Sequence, residues 1–175
     1  GTDKRCILIT SAVAGEGKSL ISANLAISIA QELQQYVLLI DADLRRPGLY
    51  DYFDVPSSPG LSEYLSEDID LSRLFVKTLI PKLSILPAGT PTDKATELFA
   101  SQKMRNLVQE LKSRYEDRYI IIDSTPIMST TEPDILSQQA DGIVFVVRAE
   151  KTPREVVKRA LLHLDKNKEK IIGVA

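Results

Sequence analysis

The segment GEGKS, residues 15–19, lies between an apolar run and a helical pattern that begins at Lys18. Two glycines separated by one residue allow successive backbone N–H groups to turn toward one point and bind an anion. The helix that follows adds the positive end of its dipole. Lys18 can reach the β- and γ-phosphates of a nucleoside triphosphate, and the Ser19 hydroxyl can bind Mg²⁺. The segment therefore predicts a phosphate-binding loop, which we expect to take ATP or ADP with Mg²⁺.

The loop departs from the usual pattern GxxxxGK[ST] at one position. Ala12 stands where the first glycine is expected, and Val13 follows it. An ordinary strand–helix turn with two glycines is the alternative, but the strand, the helix and the Lys-Ser pair together favour the phosphate loop. The residues predicted to contact the nucleotide are Ala14, Gly15, Glu16, Gly17, Lys18, Ser19 and Leu20.

Three aspartates follow buried-looking runs: Asp41 and Asp43 in LLIDAD, and Asp123 in IIIDS. Ligands of such folds bind beyond the carboxyl ends of the strands, so all three belong at the edge that holds the loop. Carboxylates there bind Mg²⁺ directly or from behind its ligands, while capping or turn aspartates are the alternative. Residues i and i+2 of a strand face opposite sides, so the first two aspartates divide their roles unless the chain turns. Arg45 and Arg46 can neutralise phosphate, pair with the carboxylates or remain solvated.

Apolar runs alternate with helical patterns along most of the chain. The strand runs are continuous rather than alternating, which is typical of parallel strands that helices cover on both faces. We therefore predict an α/β, three-layer sandwich with a mostly parallel sheet, in one domain over residues 1–175. Residues 49–82 are less regular, with short helical pieces in GLSEYLS and DLSRLF. Strands are predicted at 6–10, 36–40, 83–86, 119–123, 142–148 and 170–174, and helices at 18–34, 95–114, 133–139 and 153–166.

Composition excludes several other classes of protein. The net charge is −2, which gives no reason to expect nucleic-acid binding. One cysteine and one histidine exclude an internal disulfide and a Cys/His metal cluster. No apolar run approaches the roughly 20 residues of a membrane helix.

Glu132 can cap the helix predicted at 133–139 or couple to the site, and we favour the cap.

These motifs together resemble the bacterial tyrosine kinases of capsule and exopolysaccharide synthesis. The resemblance covers the chain through SAVAGEGKS, VLLIDADLRRP, LPAGTPTDKATELFAS and IIIDSTP. The middle region is most similar to the exosortase-associated subgroup of tyrosine autokinases. The resemblance implies the P-loop NTPase fold, in its deviant Walker A class, and ATP-dependent autophosphorylation on tyrosine in trans that regulates polysaccharide synthesis and export.

The same resemblance assigns roles to the site residues. Lys18 would hold the phosphates, and Ser19, Asp43 and Asp123 would lie on or behind Mg²⁺. Asp41 would face the incoming tyrosine hydroxyl, so that the catalytic residues are Lys18, Asp41 and Asp43. A carboxylate whose pKa is about 4 is a weak base for a phenol whose pKa is about 10. Asp41 would therefore orient the tyrosine hydroxyl and take its proton late in the transfer.

The chain departs from that family at one motif position and at its two ends. Thr125 stands where a proline is usual, and the C-terminal tyrosine cluster and the N-terminal oligomer-forming helix are missing. We therefore expect a fragment of a longer protein that forms a homo-oligomer when complete. The implied partner is a membrane-anchored polysaccharide co-polymerase or activator, and the family also admits a cognate tyrosine phosphatase. The implied location is the cytoplasm, at the inner face of the plasma membrane.

Two alternatives remain at this point. An ATPase switch similar to the plasmid-partition and septum-positioning proteins shares the fold and the carboxylates. Those proteins carry a signature lysine near the start of the loop, where this chain has Val13. A nucleotide-binding regulator without catalysis is the second alternative, against which the intact Lys18, Ser19 and Asp123 argue.

Overall fold

A computed structural model describes residues 4–32, 35–114 and 117–175. It contains one seven-stranded sheet with the strand order β3-β4-β2-β5-β1-β6-β7. The strands are β1 (Cys6–Ser11), β2 (Tyr36–Asp41), β3 (Val76–Lys77), β4 (Leu83–Leu86), β5 (Arg118–Asp123), β6 (Gly142–Val146) and β7 (Ile171–Val174). The α-helices are α1 (Lys18–Glu32), α2 (Tyr50–Phe53), α3 (Leu61–Ser66), α4 (Ala95–Ala100), α5 (Gln102–Arg114), α6 (Glu132–Ser137) and α7 (Arg154–His163).

The sheet is parallel except for β3, which pairs antiparallel with β4. β1 lies between β5 and β6, and β2 pairs with β5 on its far side. The six predicted strands are confirmed, with ends shifted by one or two residues. β3 was not predicted, because two residues are too few to produce a periodic signal.

Both faces of the sheet are covered, which confirms the predicted three layers. Ile9 of β1 belongs to one apolar cluster together with Ala26 of α1. The preceding strand residue, Leu8, belongs to the cluster on the opposite face with Phe99 of α4 and Leu107 of α5. Neighbouring residues of a strand point to opposite faces, so a strand between two helical layers must be apolar at every position.

The prediction of one continuous helix over residues 95–114 is wrong, because the segment forms two helices. It is divided into α4 and α5 at Ser101, whose backbone is extended. The Ser101 hydroxyl accepts a hydrogen bond from the Met104 N–H at 3.1 Å, so it caps the start of α5. The long apolar stripe hid this break, since both helices bury residues on the same side.

Three other helix predictions differ only at their ends. The helix predicted at 153–166 is α7, and a 3₁₀ segment follows it at Asp165–Lys170. The helix predicted at 133–139 is α6, which begins one residue earlier and ends at Ser137. The helix predicted at 18–34 is α1, and residues 33 and 34 lie outside the described residues.

α3 and the loop after β4 are joined by one carboxylate. Glu63 accepts hydrogen bonds from the Gly60 N–H at 2.7 Å and the Thr90 N–H at 2.9 Å. Burial alone would raise the pKa of Glu63, but hydrogen bonding to the Thr90 side chain and to these two N–H groups outweighs it and lowers the pKa to about 2. Gly60 lies so close to Pro87 that a Cβ would come within 2.2 Å of its carbonyl oxygen. Glu63 therefore holds the start of α3 against the loop that follows β4.

Candidate nucleotide site

The predicted phosphate loop connects β1 to the first residue of α1. Gly15 and Gly17 have φ values of 79° and 92°, in the left-handed region where glycine is favoured. A Cβ at either glycine would meet open space, so their requirement is for backbone conformation rather than room. The loop residues Ala14, Gly15 and Gly17 are exposed, and Leu20 of α1 is exposed as well. The backbone of the loop is thus accessible to a ligand at the start of α1.

The side chain of Glu16 lies apart from its exposed neighbours in the loop. It is 7% exposed, and its carboxylate accepts a hydrogen bond from the Val13 N–H at 2.8 Å. The other oxygen accepts from the Arg148 N–H at 3.3 Å and from the Thr152 hydroxyl. The sequence predicts Glu16 among the nucleotide contacts; its side chain binds protein groups, and a contact through its backbone stays a prediction.

Two predicted carboxylates lie side by side at the end of the sheet. Asp41 and Asp123 are paired residues in the register of β2 and β5, and Asp123 also pairs with Ile9 of β1. The Ser22 hydroxyl of α1 donates to Asp123 at 2.8 Å. Burial raises the pKa of Asp123 to about 6, against the effect of hydrogen bonds from Ser19 and Ser22 and the charge of Lys18. Asp123 therefore faces the start of α1, beside the phosphate loop.

Asp41 organises the chain that follows it. Its carboxylate accepts hydrogen bonds from the Asp43 N–H at 3.1 Å, the Gly48 N–H at 3.2 Å and the Leu49 N–H at 3.0 Å. Burial and the neighbouring charge of Asp123 raise the pKa of Asp41 to about 7 despite these donors. β2 ends at Asp41 and the chain turns there, so Asp41 and Asp43 need not face opposite sides as two residues of one strand would.

Asp43 occupies a more open position. It accepts the Arg46 N–H at 2.9 Å within the turn. Burial raises the pKa of Asp43, while that hydrogen bond and the charge of Lys18 act in the opposite direction. Lys18 interacts electrostatically with both Asp43 and Asp123. The three predicted aspartates and the loop lysine therefore form one group at one edge of the sheet.

Arg45 links this turn to α6. Its Nε donates to Glu132 at 3.2 Å, and the Thr96 hydroxyl donates to the same carboxylate oxygen at 2.9 Å. Glu132 is only 1% exposed. α6 has no side-chain cap at Thr131, and Glu132 is its first residue, so the expectation that Glu132 is a cap is wrong. An acidic residue after the IIIDSTP segment, together with an arginine after LIDAD, is the only sequence signal of this pair.

The donor set fits Mg²⁺. The Ser19 hydroxyl and the carboxylates of Asp43 and Asp123 are hard oxygen donors, and burial disfavours ionised Asp123 unless positive charge is near. Among the described residues, no group of three or more His, Cys, Asp or Glu side chains is arranged to hold a metal by itself. Magnesium usually retains several waters and binds few protein carboxylates beside substrate phosphates, so an all-protein cage is not required.

The glycine loop between a parallel strand and a helix, with carboxylates at the adjacent strand ends, defines a P-loop nucleotide-binding domain. A family model described as an AAA domain matches residues 4–172. The putative tyrosine-protein kinase CapB of Staphylococcus aureus is 34% identical over 97% of this chain and 73% of its own length. The chain belongs to this AAA domain family and, within it, to the bacterial tyrosine-protein kinases.

Solved structures agree with this assignment. The VpsO kinase domain aligns with a TM-score of 0.90 and 33% identity, over 98% of this chain and 83% of that one. The kinase domain of the Escherichia coli tyrosine kinase ETK aligns with a TM-score of 0.90 and 27% identity, over 98% and 66% of the two chains. The septum site-determining protein MinD of Pyrococcus horikoshii shares the fold, with a TM-score of 0.80 at 23% identity over 97% and 68%.

Proposed function

We propose that this domain is an ATP-dependent protein-tyrosine kinase that phosphorylates tyrosines of other copies of its own protein. The observation that carries this proposal is that Lys18, the first residue of α1 after the glycine loop, interacts electrostatically with the carboxylates of both Asp43 and Asp123. Because the chain belongs to the bacterial tyrosine kinases, we favour phosphoryl transfer to tyrosine over simple ATP hydrolysis. Regulation of capsule or exopolysaccharide synthesis and export is the biological role that we assign to it.

In this mechanism, the loop N–H groups and Lys18 hold the β- and γ-phosphates. Ser19 and Asp43 would hold Mg²⁺, with Asp123 on or behind it. Mg²⁺, when bound, neutralises charge that develops on the phosphate oxygens. The tyrosine oxygen forms a bond to the γ-phosphorus as the bond to the β-phosphate oxygen breaks, and ADP leaves.

Asp41 is proposed to orient the tyrosine hydroxyl and to accept its proton late in the transfer. A pKa of about 7 brings Asp41 closer to a phenol near ~10 than an ordinary carboxyl would be. Its backbone hydrogen bonds from Gly48 and Leu49 fix its orientation. Asp41 therefore combines a structural task in the turn with the proposed contact to the acceptor.

The whole protein is proposed to act at a membrane. The succinoglycan biosynthesis transport protein ExoP of Rhizobium meliloti is 35% identical over 99% of this chain, but the chain spans only 22% of it. Within the described residues, no helix is long and apolar enough to cross a bilayer. We propose that residues 1–175 are one catalytic domain at the inner face of the plasma membrane. A membrane-anchored co-polymerase or activator would recruit it, full-length copies would assemble, and a cognate tyrosine phosphatase would reverse the modification.

Incubation with ATP labelled at the γ-phosphate tests the proposed function, with a tyrosine-containing peptide supplied as acceptor. We expect a label stable on tyrosine, and we expect Lys18→Met to reduce it at least about 100-fold because the phosphates lose their cation. Lys158→Met is the matched control, since Lys158 lies on α7 and pairs with Glu155.

Each other outcome points to a different function. Release of inorganic phosphate without tyrosine labelling would indicate the ATPase switch. Nucleotide binding with neither reaction would indicate the regulator. Labelling that survives in Lys18→Met would contradict the proposed role of the loop.

A further inference from the structure

The Glu16 carboxylate joins two segments that are far apart in the sequence. One oxygen accepts the Val13 N–H inside the phosphate loop, and the other accepts the Arg148 N–H and the Thr152 hydroxyl beyond β6. Charge-assisted hydrogen bonds of this kind are roughly twice as strong as neutral ones. At 7% exposure, Glu16 is the buried connection between the loop and the segment Arg148–Thr152.

The same hydrogen bonds fix the first half of the loop. The Ser11 hydroxyl donates to the Val13 carbonyl at 2.8 Å, so both backbone polar groups of Val13 are held by side chains. Side chains that bind nearby backbone groups in this way select one local conformation over others. This half of the loop contains Ala12 in place of the usual glycine. Its backbone conformation is therefore held by the side chains of Ser11 and Glu16.

Electrostatics alone gives no reason for an acidic residue at this position. A carboxylate in a loop that binds a polyphosphate repels the ligand, so its removal should strengthen binding. A cavity of about 290 Å³ lies against the loop and is lined by Arg148 and Lys151 among other residues. The hydrogen bonds direct the oxygens of Glu16 toward protein donors, away from the space in which a phosphate would bind.

We infer that Glu16 is a positioning residue that holds the phosphate loop in its anion-binding shape by anchoring it to Arg148–Thr152. The inference rests on the proposed nucleotide-dependent function. Glu16 acts through the loop backbone, and its side chain makes no contact with the phosphates. Nucleotide affinity therefore depends on Thr152, a residue of the β6–α7 connection that belongs to none of the nucleotide motifs of the sequence.

Calorimetric titration with ADP and Mg²⁺ tests the inference, because the two effects of Glu16 have opposite signs. We expect Glu16→Gln to weaken ADP binding by about tenfold or more, since one carboxylate oxygen is replaced by an amide group that cannot accept. Glu155→Gln makes the same chemical change on the exposed start of α7 and should leave the affinity within about twofold. ADP binding by Glu16→Gln that equals or exceeds the wild-type affinity would overturn the inference.

Thr152 provides the second measurement. Thr152→Val removes the hydroxyl with little change in volume and should weaken ADP binding several-fold, whereas Thr152→Ser keeps the hydroxyl and should restore it. Thermal unfolding without nucleotide shows whether each variant is folded. If Glu16→Gln does not fold, the comparison of Thr152→Val with Thr152→Ser tests the inference by itself. Equal affinities of Thr152→Val and Thr152→Ser would also overturn the inference.

Wild-type titration separates this inference from the proposed function. A wild-type chain that fails to bind ADP would contradict the nucleotide site itself. A wild-type chain that binds ADP but transfers no phosphate would contradict the kinase proposal alone.

Discussion

At the scale of single residues, carboxylates of one chemical type carry out different tasks because their surroundings differ. Burial and the neighbouring charge of Asp123 raise the pKa of Asp41 to about 7, although three backbone N–H donors act in the opposite direction. Glu63 accepts several hydrogen bonds that outweigh its burial, and its pKa falls to about 2. Burial disfavours the charge in both, and the balance of donors and neighbouring charges decides the direction.

Glu63 gives a prediction about pH. Its pKa is lower in the folded chain than the ordinary value near ~4.3, so its ionised form stabilises the fold above that value. This contribution is lost as pH falls from there toward 2. We expect Glu63→Gln to reduce the free energy of unfolding by about 1 kcal/mol at pH 7, as for other lost helix-cap interactions, and by less near pH 3.

Urea denaturation followed by circular dichroism at several pH values measures this difference. Glu67→Gln, at the exposed end of α3, is the control and should change little at either pH. An equal loss for Glu63→Gln at pH 7 and at pH 3 would show that its charge makes no contribution.

At the scale of elements, short connections set the geometry that the periodic patterns leave open. The apolar spacing identified six of the seven described strands, the long helices and the edge at which the loop and the aspartates meet. It did not reveal the division at Ser101, because α4 and α5 continue one buried stripe in Phe99 and Met104. A capping serine is a local signal, whereas the pattern that predicts a helix is an average over several turns.

The division at Ser101 predicts a stability effect. Ser101→Ala removes the acceptor of the Met104 N–H and should reduce the free energy of unfolding by about 1 kcal/mol. Chemical denaturation measures the change. Ser113→Ala, an exposed position near the end of α5, should cost less than half as much, and an equal cost at both positions would contradict the capping role of Ser101.

The pair Arg45–Glu132 was also missed, since the two residues are 87 positions apart. We expect Glu132→Ala to destabilise the chain less than Arg45→Ala does, because the latter leaves a buried carboxylate without its cation. The double variant should show a coupling free energy of about 1–3 kcal/mol in a double-mutant cycle of unfolding.

The exposed pair Glu110–Arg114 on α5 is the control for that cycle. Its coupling should be below about 0.5 kcal/mol, as is usual for i,i+4 pairs at a helix surface. Similar coupling in the two cycles would show that burial of Glu132 adds nothing.

At the scale of the whole molecule, the ligand site exists only in the folded chain, so ligand binding should stabilise the fold. Groups from β1, α1, β2 and β5 meet there, and they come together only in the native state. Mg²⁺ with ADP at about 100 times its Kd should therefore raise the free energy of unfolding by about 2.7 kcal/mol. Thermal unfolding with and without ligand measures this, and Lys18→Met should lose most of the shift. An equal shift in Lys18→Met would place the ligand elsewhere.

The topology described above also constrains how the chain is made. Among the described residues, the partners of β1 are β5 and β6, so Cys6–Ser11 leaves the ribosome long before Arg118–Asp123 is available to it. At roughly 5–20 residues per second, this apolar segment waits on the order of ten seconds for its first partner. During that interval it is a target for chaperones or for pairing with another nascent chain, a hazard typical of slowly assembled parallel sheets. We therefore expect the yield of folded protein during expression to depend on how long β1 stays unpaired.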